Sequence, residues 1–421
     1  MERKIGNLFK GDKVIWMVFF FLCIISIVEV YSASAQLTYK TGNYMWPAIY
    51  HTSILVGGIL CTIVVQLVPC RFFKLLTTPL LIVAFCSLLA VFAFGKVNDA
   101  ARWITIFGIP FQPSEIAKGA LVLATAQILS ALQREKGADP QAMPFILFIC
   151  LFIIPPIFIE NFSTAALLSG VIFLMMFIGR VPWKQLGKLV TVVALVAAMA
   201  VLLVMTFGQT DDKEAQQDRV ELASASQQGA KKDEGFAYKI FHRMGAWKKR
   251  VNDFLDDDPE KKYDFKNNPQ RVYGNIAIAT SDITGKGIGK SVERDFLPAA
   301  HCDFIYAIII EEMGLIGGIF VAVLYIILLF RVARIAKRCE NSFPAFLAMG
   351  VALLLVVQAL FNMWVAVGLA PITGQPLPLI SKGGTSSIIN CIYIGVLLSI
   401  SRTAKVSKES MKPQMQIANN G

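Results

Sequence analysis

Between Gly285 and Gly318 the chain reads GKGIGKSVERDFLPAAHCDFIYAIIIEEMGLIGG, joining a glycine-rich loop, a histidine, a carboxylate and an apolar run that ends in two adjacent acids. Asp303 heads that run. A carboxylate at or inside a membrane span costs roughly 2.5 to 3.5 kcal/mol on insertion scales, so it is a functional candidate by default. The plainer alternative is a carboxylate favoured by the unpaired N–H groups of a helix N-terminus. Glu311 and Glu312 raise the same question deeper in the span. In FQPSEIAK, Pro113 and Ser114 mark a helix start, and Glu115 and Lys118 fall at i and i+3 on one helical face. They either form an ion pair that shelters two charges or line a polar cavity.

Two further stretches are rich in backbone breakers. Thr284-Gly-Lys-Gly-Ile-Gly-Lys290-Ser291 nearly matches a phosphate-binding P-loop but has threonine where the first glycine is required. Its backbone N–H groups, with Lys286, can cradle a lipid-borne diphosphate, or the loop is a simple flexible turn. Residues 371–387, PITGQPLPLISKGGTSS, are the second. Irregular backbone at membrane depth survives only where it is buried in protein or lines a watery cavity, which places this loop on the wall of the cavity that Asp303 faces. His51 has no second histidine at ligand spacing, so a satisfied or lumen-facing histidine is expected rather than a metal site. The eight cysteines show no CxxC spacing and read as packing residues.

The elements that position these residues follow from composition. With 421 residues, 55% hydrophobic and 16% charged, the chain is too apolar for an ordinary soluble globule. It reads as an all-α polytopic membrane protein. Apolar runs at about 14–34, 47–67, 75–95, 114–133, 143–160, 164–181, 187–207, 303–330, 343–368 and 384–401 give ten spans. Basic residues gather on one side: Arg3, Lys4, Lys10 and Lys13 in the arm 1–13, Arg331, Arg334, Lys337 and Arg338 in a loop, and the tail 402–421. Both termini are therefore expected to be cytoplasmic, with seven spans in 14–207, a large outer segment at 208–302 and three spans in 303–401. No cleavable signal peptide is expected, because the first apolar run is of full span length and follows a basic arm. The net charge of +11 belongs to the cytoplasmic collar, since residues 208–300 hold 16 basic and 16 acidic residues. That distribution suits topology and anionic lipid, not nucleic acid. Within the outer segment, 208–235 has few large apolar side chains and reads as disordered or loosely held, whereas 236–255 has the pattern of a basic amphipathic helix. That helix lies either on lipid or against the protein's own loops. Glu29, near the outer end of the first span, is either a functional acid or a group reaching the interface.

Taken together, YSAS at 31–34, ARWI with FQPSEIAK at 101–118, GKGIGKS with FLPAAHCDFIYAIIIEEMG at 285–314, and PITGQPLPLISKGGTS at 371–386 resemble the SEDS family (shape, elongation, division and sporulation), which includes FtsW and RodA. The match leans toward the division member. The resemblance implies a glycosyltransferase that polymerises lipid II at the outer face of the bacterial cytoplasmic (inner) membrane. It also implies a class B penicillin-binding protein transpeptidase as partner, with other divisome or elongasome membrane proteins. By motif position Asp303 matches the family's catalytic aspartate, and Glu115 and Lys118 match its charged pair. Departures are Pro110 where many members have Arg, Asn161 in Ile159-Glu-Asn-Phe-Ser-Thr-Ala165 where QPDxGTA is frequent, Lys382 where Tyr is usual, and a long 208–270 segment.

The chemistry expected is attack of an acceptor sugar hydroxyl on a donor linked to polyprenyl diphosphate, with Asp303 taking the proton. Direct displacement inverts the anomeric centre. Lys118, Arg102, Lys286 and Lys382 are the candidates for the charge that builds on the leaving group, and Mg²⁺ or Mn²⁺ is an alternative with no specified ligands. Gln112, Ser381 and Thr385 are further substrate-binding candidates, and His301 either orients Asp303, binds sugar hydroxyls or is a plain loop histidine. Two other classes compete: a transporter that flips lipid-linked precursors, which Glu311 and Glu312 favour, and a non-enzymatic scaffold of a division complex.

Overall fold

The computed structural model describes residues 10–33, 45–94, 104–106, 109–135, 137–207, 250, 254, 265, 268–298 and 300–418. Arg102, the segment 208–235 and the amphipathic stretch 236–255, apart from Arg250 and Phe254, lie outside them. Ten long helices correspond in order to the ten expected spans: α1 (Lys13–Ala33), α2 (Trp46–Leu67), α3 (Arg71–Phe94), α4 (Pro113–Ala131), α5 (Ala142–Glu160), α6 (Phe162–Ile178) and α7 (Trp183–Phe207), then, after the short helix α8 (Pro269–Ala279), α9 (Ile305–Ala336), α10 (Ser342–Ala366) and α11 (Thr385–Ala418). Seven of them are long and apolar enough by themselves to cross a bilayer. Two short ribbons, β1 (Ile104–Ile106) with β2 (Ile109–Phe111) and β3 (Gln133–Arg134) with β4 (Gly137–Ala138), were not expected from the sequence.

Helix boundaries follow local chemistry. Asp12 caps α1, its Oδ1 accepting from the N–H groups of Val14 at 3.0 Å and Ile15 at 3.3 Å. The same carboxylate receives a forked pair of bonds from Arg331 near the end of α9, with Nη2 at 2.7 Å. Ser401 of α11 accepts from the Asp12 N–H at 2.9 Å, and Arg402 donates to the Leu67 carbonyl at 3.1 Å. The start of α1, the ends of α2 and α9 and the middle of α11 are thereby gathered at one end of the bundle, the basic end. Asn161, the departure noted above, separates α5 from α6 without a loop: its Oδ1 accepts from Ser163 and Thr164 N–H at 3.2 and 3.4 Å.

The centre of the bundle is α10. Its face of Leu347, Val351, Leu354, Leu355 and Ala359 is buried, and it packs on α4, α6 and α9. Helix α9 is broken inside its span: Gly314 has φ 71° and ψ −174°. A break frees carbonyls that lipid cannot satisfy. Here the glycine loop satisfies them, Lys286 N–H donating to the Glu311 carbonyl and Gly287 N–H to the Glu312 carbonyl, both at 2.9 Å. Loop and helix approach so closely that a Cβ on Gly314 would meet the Ile283 carbonyl oxygen and the Gly285 nitrogen. Gly314→Ala is therefore expected to destabilise the protein by about 1–3 kcal/mol from backbone strain alone, before the clash is added, and the melting temperature in detergent measures it.

Candidate active site

The same loop accounts for the two deep acids. Lys286 Nζ donates to Glu311 Oε1 at 2.6 Å and to Thr280 Oγ1 at 2.8 Å, and the Ser291 hydroxyl and the N–H of Val292, at 3.1 Å, complete the shell of Glu311. Glu312 accepts from Gly289 N–H at 2.8 Å and from the Ser32 hydroxyl, and Ser32 in turn accepts from Arg294 at 2.8 Å. That is the role of Ser32 in the YSAS stretch. The loop does cradle anions, but they are the protein's own carboxylates, and both are fully buried. Lys286, expected on a substrate diphosphate, is engaged there instead.

Asp303 lies at the opposite end of the bundle from Arg331 and Ser401, in the turn that leads into α9, and is partly exposed. Its backbone is held from two directions. Asn362 on α10 donates through Nδ2 to the Asp303 carbonyl at 2.8 Å and to the Gln375 carbonyl at 2.7 Å. The Ser381 hydroxyl donates to the Cys302 carbonyl at 2.6 Å, Lys382 N–H to the His301 carbonyl at 3.0 Å, and Cys302 Sγ to the Lys382 carbonyl at 3.3 Å. The 371–387 loop is thus stitched to the turn that bears Asp303, as its breakers suggested. Leu379 in that loop is held at φ 66°, a left-handed conformation that costs a bulky residue energy. The hydroxyl of Tyr325 on α9, donating to the Pro378 carbonyl, and the Ser381 N–H, donating to the Leu377 carbonyl at 2.9 Å, fix it there.

Glu115 and Lys118 join the site through one side chain. Lys118 Nζ lies 2.9 Å from Glu115 Oε1 and 2.8 Å from Gln358 Oε1, and Gln358 Nε2 donates to the Pro376 carbonyl at 3.1 Å. Gln358 and Asn362 are one turn apart on α10, so a single helix face carries the charged pair on one side and the Asp303 turn on the other. The pair is an internal ion pair, 1–3% exposed, tied through Gln358 to the 371–387 loop. Gln375 extends the network to Thr164 Oγ1 at 2.6 Å. Gln112 immediately precedes α4 and is largely buried, and Thr385 opens α11 four residues beyond Ser381. Gln358, Asn362 and Gln375 were not among the residues expected here. The first two were detectable as polar residues four apart in an otherwise apolar span.

The two described histidines are explained locally. His51 Nε2 bonds Ser26 Oγ at 2.8 Å, and that hydroxyl donates to the Ile380 carbonyl at 2.7 Å, so this buried histidine braces the same loop. Burial, and then the neighbouring Lys382 ammonium, push His301 down to about 4. His301 is therefore neutral at pH 7 and offers one donor and one acceptor. Because an unfolded histidine takes up its proton near 6.5 and the folded one only near 4, the stabilisation is present above 6.5 and is lost as pH falls toward 4. A melting-temperature series between those limits should slope downward on acidification, and His301→Gln should make that slope shallower.

Among the described residues no three His, Cys, Asp or Glu side chains converge closely enough to hold a metal ion. The divalent cation considered from the sequence has no ligand set among them.

Fold and site define a polytopic helical membrane protein whose polar, loop-walled site opens at the end opposite its basic collar. The chain belongs to the FtsW/RodA/SpoVE family of cell cycle proteins, whose model matches residues 12–406. Similar curated proteins include the probable peptidoglycan glycosyltransferase FtsW of Hahella chejuensis, 32% identical over 417 residues, covering 95% of this chain and 92% of that protein. The peptidoglycan glycosyltransferase MrdB of Escherichia coli is 26% identical over 410 residues, covering 95% and 96%. Among solved structures, the rod shape determining protein RodA of Thermus thermophilus superposes with a TM-score of 0.62 at 21% identity, covering 94% of this chain and 98% of that one. A chain of a peptidoglycan synthase complex superposes at 0.66 with 22% identity, covering 93% and 98%. These two likenesses show a shared fold.

Proposed function

We propose that this protein is a peptidoglycan glycosyltransferase that polymerises lipid II into glycan strands at the outer face of the bacterial cytoplasmic membrane, with Asp303 as general base. The single observation that carries this reading is the placement of Asp303. It is the partly exposed carboxylate of a turn held by α10 and the 371–387 loop, whereas Glu115, Glu311 and Glu312 are buried. Asp303 accepts the proton of the acceptor's hydroxyl as that oxygen attacks the donor's anomeric carbon. The bond to the polyprenyl diphosphate breaks and its electron pair leaves with the diphosphate, inverting the centre. Neutral His301, beside Asp303 in sequence, is placed to bind a sugar hydroxyl. Ser381 and Asn362 act as positioning residues by holding the turn.

The partner is a class B penicillin-binding protein transpeptidase, within a division or elongation assembly. Support comes from the peptidoglycan synthase complex among the fold's neighbours. A transporter is the competing reading, and the deep acids were its best argument. Their engagement with the glycine loop leaves them as ties across the break in α9.

The test uses purified protein in liposomes carrying lipid II, with and without the transpeptidase, assaying polymer and transbilayer movement together. Glycan strands are the expected product. Lipid II that crosses the bilayer with no polymer under any partner condition would overturn the proposal in favour of transport.

A further inference from the structure

A diphosphate leaving group needs a cation, and most candidates near the site are already committed. Lys118 is buried against Glu115 and Gln358. Lys286 is bonded to Glu311 and Thr280, and Arg294 to Ser32. Lys382 differs from all of these. Among the described residues its ammonium has no carboxylate and no hydrogen-bond partner, although the side chain is partly buried. Burial lowers its proton affinity, and only the weakly acidic Cys302 thiol opposes that. Among the described residues it also acts electrostatically on His301 and His51, both imidazoles. A partly desolvated cation with no counter-charge is disfavoured unless an anion arrives.

The backbone places it with respect to the base. Lys382 N–H bonds the His301 carbonyl at 3.0 Å and its own carbonyl accepts from Cys302 Sγ at 3.3 Å, so the loop bearing the cation runs beside the turn bearing Asp303. In a displacement the attacking and leaving oxygens lie on opposite sides of one carbon. A cation on a segment adjoining the base, carried on a flexible four-carbon stem, can reach the far oxygen.

We propose that Lys382 is the diphosphate-binding cation of the site, meeting the charge that builds as the bond to the anomeric carbon breaks. This rests on the glycosyltransferase reading. Where the family resemblance has tyrosine, this chain carries lysine and with it a full charge. A tyrosine hydroxyl can donate one hydrogen bond to a phosphate oxygen, whereas the ammonium supplies three donors and a unit charge. Because the charge grows during the reaction, the contribution falls on turnover more than on binding of lipid II.

Two measurements on the full chain separate this inference from the reading beneath it. Binding of inorganic diphosphate to the purified protein, followed by calorimetry, is expected for the native chain and for Lys382→Arg, and at least tenfold weaker for Lys382→Met and Lys382→Gln. Polymerisation by the two neutral variants is expected to show kcat reduced at least tenfold with KM for lipid II changed less, and Lys382→Arg should restore part of the rate. Neutral variants that melt like the native protein and bind diphosphate equally well would overturn the role of Lys382 while leaving the enzyme reading intact. Diphosphate binding that depends on Lys382 in a protein that makes no polymer would overturn the enzyme reading and leave the anion site standing.

Discussion

Lys118→Met is expected to cost about 3–5 kcal/mol of stability, because it strands the Glu115 carboxylate without a counter-charge at a position 3% exposed. The loss is the penalty of an uncompensated buried charge, not the worth of the pair. The double replacement Glu115→Gln with Lys118→Met removes both charges and should recover most of it, leaving a coupling that a double-mutant cycle in detergent will read directly. Lys118 also supplies the hydrogen at Gln358 Oε1, and Gln358 holds the Pro376 carbonyl. The single variant should therefore loosen the 371–387 loop as well, and polymerisation should fall with stability. Equal destabilisation by the single and double changes would mean that the pair serves the loop and not charge balance.

Asp303→Asn has the larger effect on activity. The change keeps size and hydrogen-bonding capacity but removes the acceptor for the hydroxyl proton, and loss of a positioned general base costs typically 10²–10⁴-fold in rate. The turn is also held through backbone groups that the change leaves in place, the Asp303 carbonyl to Asn362 and its neighbours to Ser381 and Lys382, so a melting curve of the variant is read beside its activity. Asp303→Glu keeps the base on a longer stem and is expected to retain a fraction of the rate set by misplacement alone.

How much of this was legible in the sequence depended on whether the signal was local. The ten long helices were, because twenty apolar residues between basic turns have few alternatives in a bilayer. Their ends agree with the expected spans within a few residues except for α9 and α11, which run on past the apolar stretch into basic segments that remain helical. Glu115 and Lys118 were legible as a pair from their spacing. Gln358 was not assigned to them, because a partner 240 residues away leaves no periodic trace. The glycine loop left two readings open, a cradle for a lipid-borne diphosphate or a flexible turn, and its N–H groups in fact meet the protein's own Glu311 and Glu312. Its occupant is set by tertiary packing: Gly314 breaks α9 and so presents the Glu311 and Glu312 backbone to residues 285–291. Helix α8 was missed because its eleven residues bury only Val272, Gly274 and Ala277, too few for a clear period.

The most direct test of the central claim compares native protein with Asp303→Asn, each purified, shown to melt normally and bound to a transpeptidase partner, in an assay that separates polymer from lipid II. The account predicts glycan strands from the native protein and none above background from the variant. Undiminished polymer from a folded, partner-bound Asp303→Asn would contradict it and remove Asp303 from the chemistry.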